Sequence, residues 1–264
     1  MGKRTEHAPG TFSWVDLGTT DADGAKAFYG ELFGWEADDM PTGDDGPGVY
    51  SMLKIGDDYV AALYELGAEM RERGVPPNWL SYVTVADVEA TAAKARELGG
   101  KVHAEPFDVL SAGRMTLIQD PGGAMLAAWQ PKESIGATRV NDPGCLTWNE
   151  LSTPDPDGAA AFYGGLFGWE VEAIDTGGGP QYSIIRNGGR SNGGMMGMQD
   201  EQAEIPPYWL PYFTVESTDD AVARAGGLGA STLAGPLDVP TGRIAALRDP
   251  QGAAFAVFQG EVDD

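Results

Sequence analysis

The chain has 264 residues, of which 40 are acids and 17 bases, for a net charge of −23, and 42% are hydrophobic. That length suits one large or two ordinary domains of ~100–200 residues, with an apolar content that belongs to a globular chain rather than a disordered one. The acid excess argues against a nucleic-acid partner, whose phosphates need a positive surface.

No apolar run approaches the ~20 residues of a membrane span, so no membrane partner is expected. Met1–Gly10 lacks a signal-like apolar core, and the single cysteine, Cys145, suits a reducing compartment. A cytoplasmic protein is the expectation. Residues 11–135 and 136–264 each carry −12. The charge is therefore not a tail but either a solubilising surface or a field that draws in cationic ligands.

Phe12–Gly18 alternates as a strand. Asp21 offers an N-cap to a helix burying Ala25, Phe28 and Leu32, and Gly34 is placed to end it. Val49–Ile55 and Tyr59–Leu63 read as strands. A second cycle opens with strand Trp79–Val85, continues as a helix from Asp87 through Leu98, and is stopped by Gly99-Gly100. Strands follow from Val102, over Arg114–Gln119 and over Met125–Gln130. The order β-α-β-β-β, met twice, implies a mixed sheet with helices on one face. Its other face must meet a partner module or stay hollow.

The pattern then repeats. Trp14-Val15-Asp16-Leu17 returns as Trp148-Asn149-Glu150-Leu151, Ala27-Phe28-Tyr29-Gly30 as Ala161-Phe162-Tyr163-Gly164, and Leu32-Phe33-Gly34-Trp35-Glu36 as Leu166-Phe167-Gly168-Trp169-Glu170. Asp120-Pro121 near the end of the first half answers to Asp249-Pro250 in the second. This is a tandem duplication, with its linker near Pro131–Pro143. In the second half, Gly177-Gly178-Gly179, Gly188-Gly189 and Gly193-Gly194 read as hairpin turns or a rim, and Met195-Met196-Gly197-Met198 as a strand. Cys145 reads as a buried structural thiol. Phosphate-loop and dinucleotide-binding glycine patterns are absent from the sequence.

The spacing from Trp14 through Asp21 to Phe28-Tyr29 and Leu32-Phe33-Gly34-Trp35, with the closing Asp120-Pro121-Gly122-Gly123, resembles the vicinal oxygen chelate superfamily. That group holds glyoxalase I, extradiol dioxygenases and bleomycin-resistance proteins. Within it the chain is most similar to tandem glyoxalase-like proteins often labelled 27 kDa antigens or hydroxylases, some of them from gene clusters for aromatic polyketide antibiotics such as anthracyclines. The resemblance implies an α+β fold of two tandem domains, residues 10–132 and 143–260, each built of two βαβββ modules whose curled mixed sheet forms a cup. In metal-using members the cup holds a divalent ion on His and Glu side chains. Those positions fall here on Trp14, Leu80 and Ala127, and on Trp148, Leu210 and Ala256, none of which is a metal ligand. His7 and His103, the two histidines, read as surface residues. No metal and no cofactor are expected.

If those positions face the hollow, alternation along the strands gives their neighbours. The first cup gathers Trp14, Asp16, Leu80, Tyr82, Met125, Ala127 and Trp129; the second gathers Trp148, Glu150, Leu210, Tyr212, Ala254, Ala256 and Phe258. Each holds three aromatic rings, small alanines and one carboxylate. Arg114 and Arg243 follow glycine at equivalent places and read as surface residues, with pairing to those acids or to ligand oxygens as the alternative.

Three readings stay open. The cups bind an aromatic small molecule without a metal, cationic in one version, as bleomycin-resistance proteins sequester a drug. Such a binder would serve antibiotic self-resistance, or biosynthesis as an accessory to a tailoring oxygenase. Alternatively, Asp16 or Glu150 is the general base of a metal-free enzyme, with Tyr82 or Tyr212 as proton donor. In the third reading the rings are ordinary core in a structural or interaction protein. A monomer or a homodimer is equally compatible with the sequence.

Overall fold

The computed structural model describes residues 2–42, 48–179, 181–199, 202 and 204–262. The first half runs β1 (Phe12–Thr19), α1 (Ala22–Phe33), β2 (Glu36–Pro41), β3 (Val49–Ile55), β4 (Asp58–Glu65), α2 (Ala68–Glu72), β5 (Asn78–Thr84), α3 (Val88–Glu97), β6 (Lys101–Val109), β7 (Gly113–Gln119) and β8 (Met125–Pro131). The second half runs β9 (Leu146–Thr153), α4 (Pro156–Phe167), β10 (Glu170–Ile174), β11 (Tyr182–Asn187), β12 (Arg190–Gly197), β13 (Tyr208–Thr214), α5 (Thr218–Gly227), β14 (Ser231–Val239), β15 (Gly242–Arg248) and β16 (Ala254–Gly260). No helix among the described residues is long and apolar enough to cross a membrane.

Local chemistry sets the helix ends. The Asp21 carboxylate accepts from the Gly24 amide at 2.9 Å, and its counterpart Asp155 accepts from Gly158 at 3.0 Å. Each bond satisfies one orphan donor of the first turn. Gly34 and Gly168 end the two helices in the left-handed region, at φ 74° and 75°, where a side chain would be strained. Two elements escape the sequence reading. β2 is an exposed, acid-rich edge strand without an apolar face, and α2 is a single short turn with no buried residue.

Each half builds its own eight-stranded mixed sheet, in the order β2-β3-β4-β1-β5-β8-β7-β6 and β10-β11-β12-β9-β13-β16-β15-β14. In the first sheet β1 lies parallel to β4 and antiparallel to β5, and β5 lies parallel to β8. The two βαβββ modules of a half therefore join through their first strands, and each cup forms within one half.

The halves meet through the helix-bearing faces of their sheets, and the two main cores cross between them. One core joins Val15, Phe28, Tyr29, Leu32 and Trp35 of the first half to Phe213, Leu247, Phe255 and Val257 of the second. The other joins Val83, Ile118 and Leu126 to Phe162, Tyr163, Trp169 and Trp209. Burying each large side chain contributes ~1.5–3 kcal/mol, so most of the hydrophobic stabilisation is shared between halves.

The repeated motifs supply matching polar locks across this interface. Tyr29 donates to Asp249 Oδ2 at 3.0 Å and Tyr163 to Asp120 Oδ2 at 2.9 Å. Trp35 Nε1 donates to the Gly144 carbonyl at 2.8 Å and Trp169 Nε1 to that of Gly10 at 2.7 Å. Cys145 is fully buried beside the first core, and burial pushes its thiol pKa up.

Candidate functional site

The faces turned away from the interface hold two further clusters, each made of one half alone. In the first cup Trp14 (β1), Ala62 (β4), Tyr82 (β5), and Ala127 and Trp129 (β8) pack with Tyr50, Met52, Tyr59, Leu80, Met115 and Leu117. In the second, Leu210, Tyr212, Ala256 and Phe258 pack with Trp148, Tyr208, Ile244, Ala246 and Ala254. The structure thus brings together the rings that alternation placed on one face. Met125, on the same face of β8 as Ala127, is half-buried and stands outside the first cluster.

Asp16 is buried in the first cup, 2% exposed. Its Oδ2 accepts from Tyr82 at 2.7 Å and from Tyr50 at 3.1 Å, and Trp14 Nε1 donates to the Tyr50 hydroxyl at 3.2 Å. Its Oδ1 is buried with no partner among the described residues. Burial raises the carboxyl pKa to about 6, and the two phenol bonds only partly offset this. Burial and the Asp16 charge together push Tyr50 and Tyr82 well above the ordinary phenol range, and they do the same in weaker form to Tyr64 beside them.

In the second cup Glu150 takes the place of Asp16. Tyr212 donates to its Oε1 at 3.0 Å, Tyr182 lies beside it, and burial raises its pKa, which these phenols partly offset. Gly194 of β12 lies opposite Glu150, where the first cup has Ala62 opposite Asp16. A Cβ at position 194 would stand 2.3 Å from the Tyr182 hydroxyl and 2.9 Å from Trp148 Nε1. The bare backbone is what lets those two side chains lie across the strand.

Outer cover differs as well. Over the first cup the connector after β8 folds back: Ala137 and Val140 pack on the rings, and the Ser134 carbonyl accepts from Trp129 Nε1 at 3.0 Å. The Ala137 amide bonds Ser13 and that of Thr138 bonds Tyr59, at 2.7 and 2.9 Å. His7 Nε2 lies 2.8 Å from the Ala137 carbonyl, and burial lowers its pKa. His7 is therefore a tether for the connector, not a plain surface residue. Over the second cup the chain after β16 contributes Val262.

Two other readings have their outcome in the structure. Arg114 pairs with Glu89 and Asp108, and Arg243 with Asp219 and Asp238; all four acids lie outside both cups, so neither arginine reaches Asp16 or Glu150. Gly193-Gly194 is strand, not turn, because the cup packing needs a residue without a Cβ there. Tyr50, which bonds Asp16, and Tyr182, its counterpart beside Glu150, escaped the reading of the sequence. Their signal was a tyrosine at matching places in β3 and β11 of a recognised repeat.

The position of the family's divalent ion was tested on donor chemistry. Trp14, Leu80 and Ala127 offer no ligand atom there, and the cup adds one carboxylate and phenols. Among the described residues no three His, Cys, Asp or Glu side chains converge to hold a metal. The donor set does not fit the family's ion. Two surface clefts of about 470 and 410 Å³ lie outside the cups, one beside the start of α1 and the other beside Pro206-Pro207.

Two βαβββ modules per half, paired into one sheet around a cup, define a glyoxalase-type architecture, and comparison with known proteins agrees. Residues 11–127 match the family described as Glyoxalase/Bleomycin resistance protein/Dioxygenase superfamily, and residues 148–258 match a Glyoxalase-like domain. The chain belongs to this superfamily. It is 42% identical over 260 residues to a Mycobacterium tuberculosis protein named "Putative glyoxylase CFP32", covering 98% of both chains. It is 34% identical to the anthracycline biosynthesis protein DnrV of Streptomyces peucetius, over 97% of this chain and 95% of that one. In fold it is similar to the Mn(II)-bound glyoxalase of Novosphingobium aromaticivorans, with a TM-score of 0.67 at 17% identity, covering 100% of this chain and 85% of the other.

Proposed function

We propose that the protein binds a small aromatic molecule in a cup without a metal ion, with cationic ligands favoured. The relatives DauV and DnrV are named for anthracycline biosynthesis, and in that setting the ligand is an aromatic polyketide or a related metabolite. The binder then serves as an accessory that holds product or as a resistance protein. The observation that carries this reading is Asp16, a buried carboxylate ringed by aromatic side chains with one oxygen left unbonded. Such an orphan costs ~1–3 kcal/mol, which a ligand donor would recover. Burying ~300 Å² of apolar ligand surface adds roughly 7–8 kcal/mol gross at ~25 cal/mol per Å², from which the costs of association are drawn.

The same group favours a second reading. A carboxyl with a pKa of about 6 sits near neutral pH, where a general base works best, and its free oxygen is the atom that would take a proton. Asp16 would then be the base of a metal-free proton transfer.

The test is calorimetry and tryptophan quenching with a panel of planar aromatic compounds, charged and neutral, together with an assay for their conversion. Saturable binding without conversion supports the binder. Conversion that disappears in Asp16→Asn supports the enzyme, and no response to any compound defeats both.

A further inference from the structure

We propose that the two cups are not equivalent. The first is the ligand site and takes a single slender organic ammonium group, bonded to Asp16 Oδ1 and faced by Trp14, Tyr50, Tyr82 and Trp129, while among the described residues the second holds no buried carboxylate oxygen without a partner. This inference rests on the binding reading above and narrows it to one site and one ligand chemistry.

The difference begins with one methylene. Asp16 is the shorter acid, and both tyrosines reach the same oxygen, Oδ2, which leaves Oδ1 bare. Glu150 extends farther and accepts from Tyr212 through Oε1, the glycine at 194 leaves room for Tyr182 and Trp148 against the strand, and no Glu150 oxygen is left buried without a partner. Among the described residues, Asp16 Oδ1 is the one cup carboxylate oxygen that is buried without a partner.

Charge selects the ligand class. Asp16 is bonded by neutral phenols alone; the groups that bear on it are Tyr50, Tyr64 and Tyr82, and no lysine, arginine or histidine of the described residues supplies a counter-charge. An ionised carboxylate in such a place favours a cation over a neutral donor. Surrounding aromatic faces attract the same cation through their quadrupoles. Shape narrows the choice again. With Ala137 and Val140 laid over the rings, the group that reaches Oδ1 is an amine on a narrow stem rather than a fused ring system, whose bulk stays toward the rim.

Phenethylammonium and its neutral counterpart 2-phenylethanol are the probes, titrated into the whole chain and into Asp16→Asn and Glu150→Gln. Expected are one site per chain and about tenfold or greater preference for the ammonium, from the added strength of a charged hydrogen bond. Affinity is expected to be lost in Asp16→Asn and kept in Glu150→Gln. A crystal soaked with phenethylammonium should place its nitrogen beside Asp16, and this arm decides the matter if Asp16→Asn does not fold. Two sites, equal affinity for the alcohol, loss confined to Glu150→Gln, or the amine seated beside Glu150 would each overturn the inference. If phenethylammonium does not bind but planar aromatic compounds still quench tryptophan, the inference fails and the binding reading stands. Silence from both probe sets removes both.

Discussion

The two cups descend from one repeated unit, yet they have kept different things. Between the halves the interface locks agree closely: Tyr29 to Asp249 and Tyr163 to Asp120 at 3.0 and 2.9 Å, Trp79 and Trp209 to those tyrosines at 3.2 and 3.0 Å. Inside the cups the correspondence loosens. Asp16 is replaced by Glu150, Ala62 by Gly194 and Trp129 by Phe258, and a hydrogen-bonded connector crosses the first cup where the second has Val262. Positions that hold the halves together leave little freedom, because each bond is buried and has a partner to lose. The cups carry fewer such obligations, and there the copies have diverged.

The largest test of that contrast is truncation of the equivalent tryptophans. Trp14 is 6% exposed and sits under the connector, whereas Trp148 is half-buried. Trp14→Ala should cost ~3–5 kcal/mol in urea unfolding, and Trp148→Ala less than half as much. Equal losses would mean that both cups are packed alike. The next effect is a pH profile. The Asp16 pKa rises from 3.8 to about 6 on folding, so the fold disfavours the charged form. Stability from this group is full below about pH 4 and is lost as pH climbs through about 6, by ~2–3 kcal/mol. Tyr50, Tyr64 and Tyr82 stay protonated throughout. Relative to wild type, Asp16→Asn should therefore gain stability between pH 4 and pH 8, read from urea midpoints; parallel profiles would show that Asp16 is not held in an apolar setting. Smallest are Arg114→Ala and Arg243→Ala. Their ion pairs are exposed, so each should change stability by less than ~1 kcal/mol and leave ligand titrations untouched. A shift in affinity would bring an arginine back to a cup.

Much of this architecture was legible because it rests on local rules and on repetition. Asp21, Gly34 and the apolar spacing of Ala25, Phe28 and Leu32 fix α1 by capping and periodicity, and strand alternation put Trp14, Asp16, Tyr82 and Trp129 on one face. Long-range geometry was harder to read. That Phe28 and Tyr29 pack against the opposite half follows from which sheet faces meet, and a pattern of residues along the chain says nothing about that. The places of Tyr50 and Tyr182 were hidden for the same reason, since β3 and β11 reach the acids only across β4 and β12. Arg114 stayed open between a surface role and a cup role because the sequence does not show which way its side chain points; its strand turns it toward Glu89 on the helix side.

The crossing of the two main cores carries a consequence for how the molecule comes apart. With Phe28 and Tyr29 seated against Phe255, and Phe162 and Tyr163 against Ile118 and Leu126, neither half owns a complete interior. A scanning calorimeter should record one melting transition rather than two. A chain nicked in the connector should remain a tight two-piece complex, because severing one peptide bond leaves both shared interiors intact.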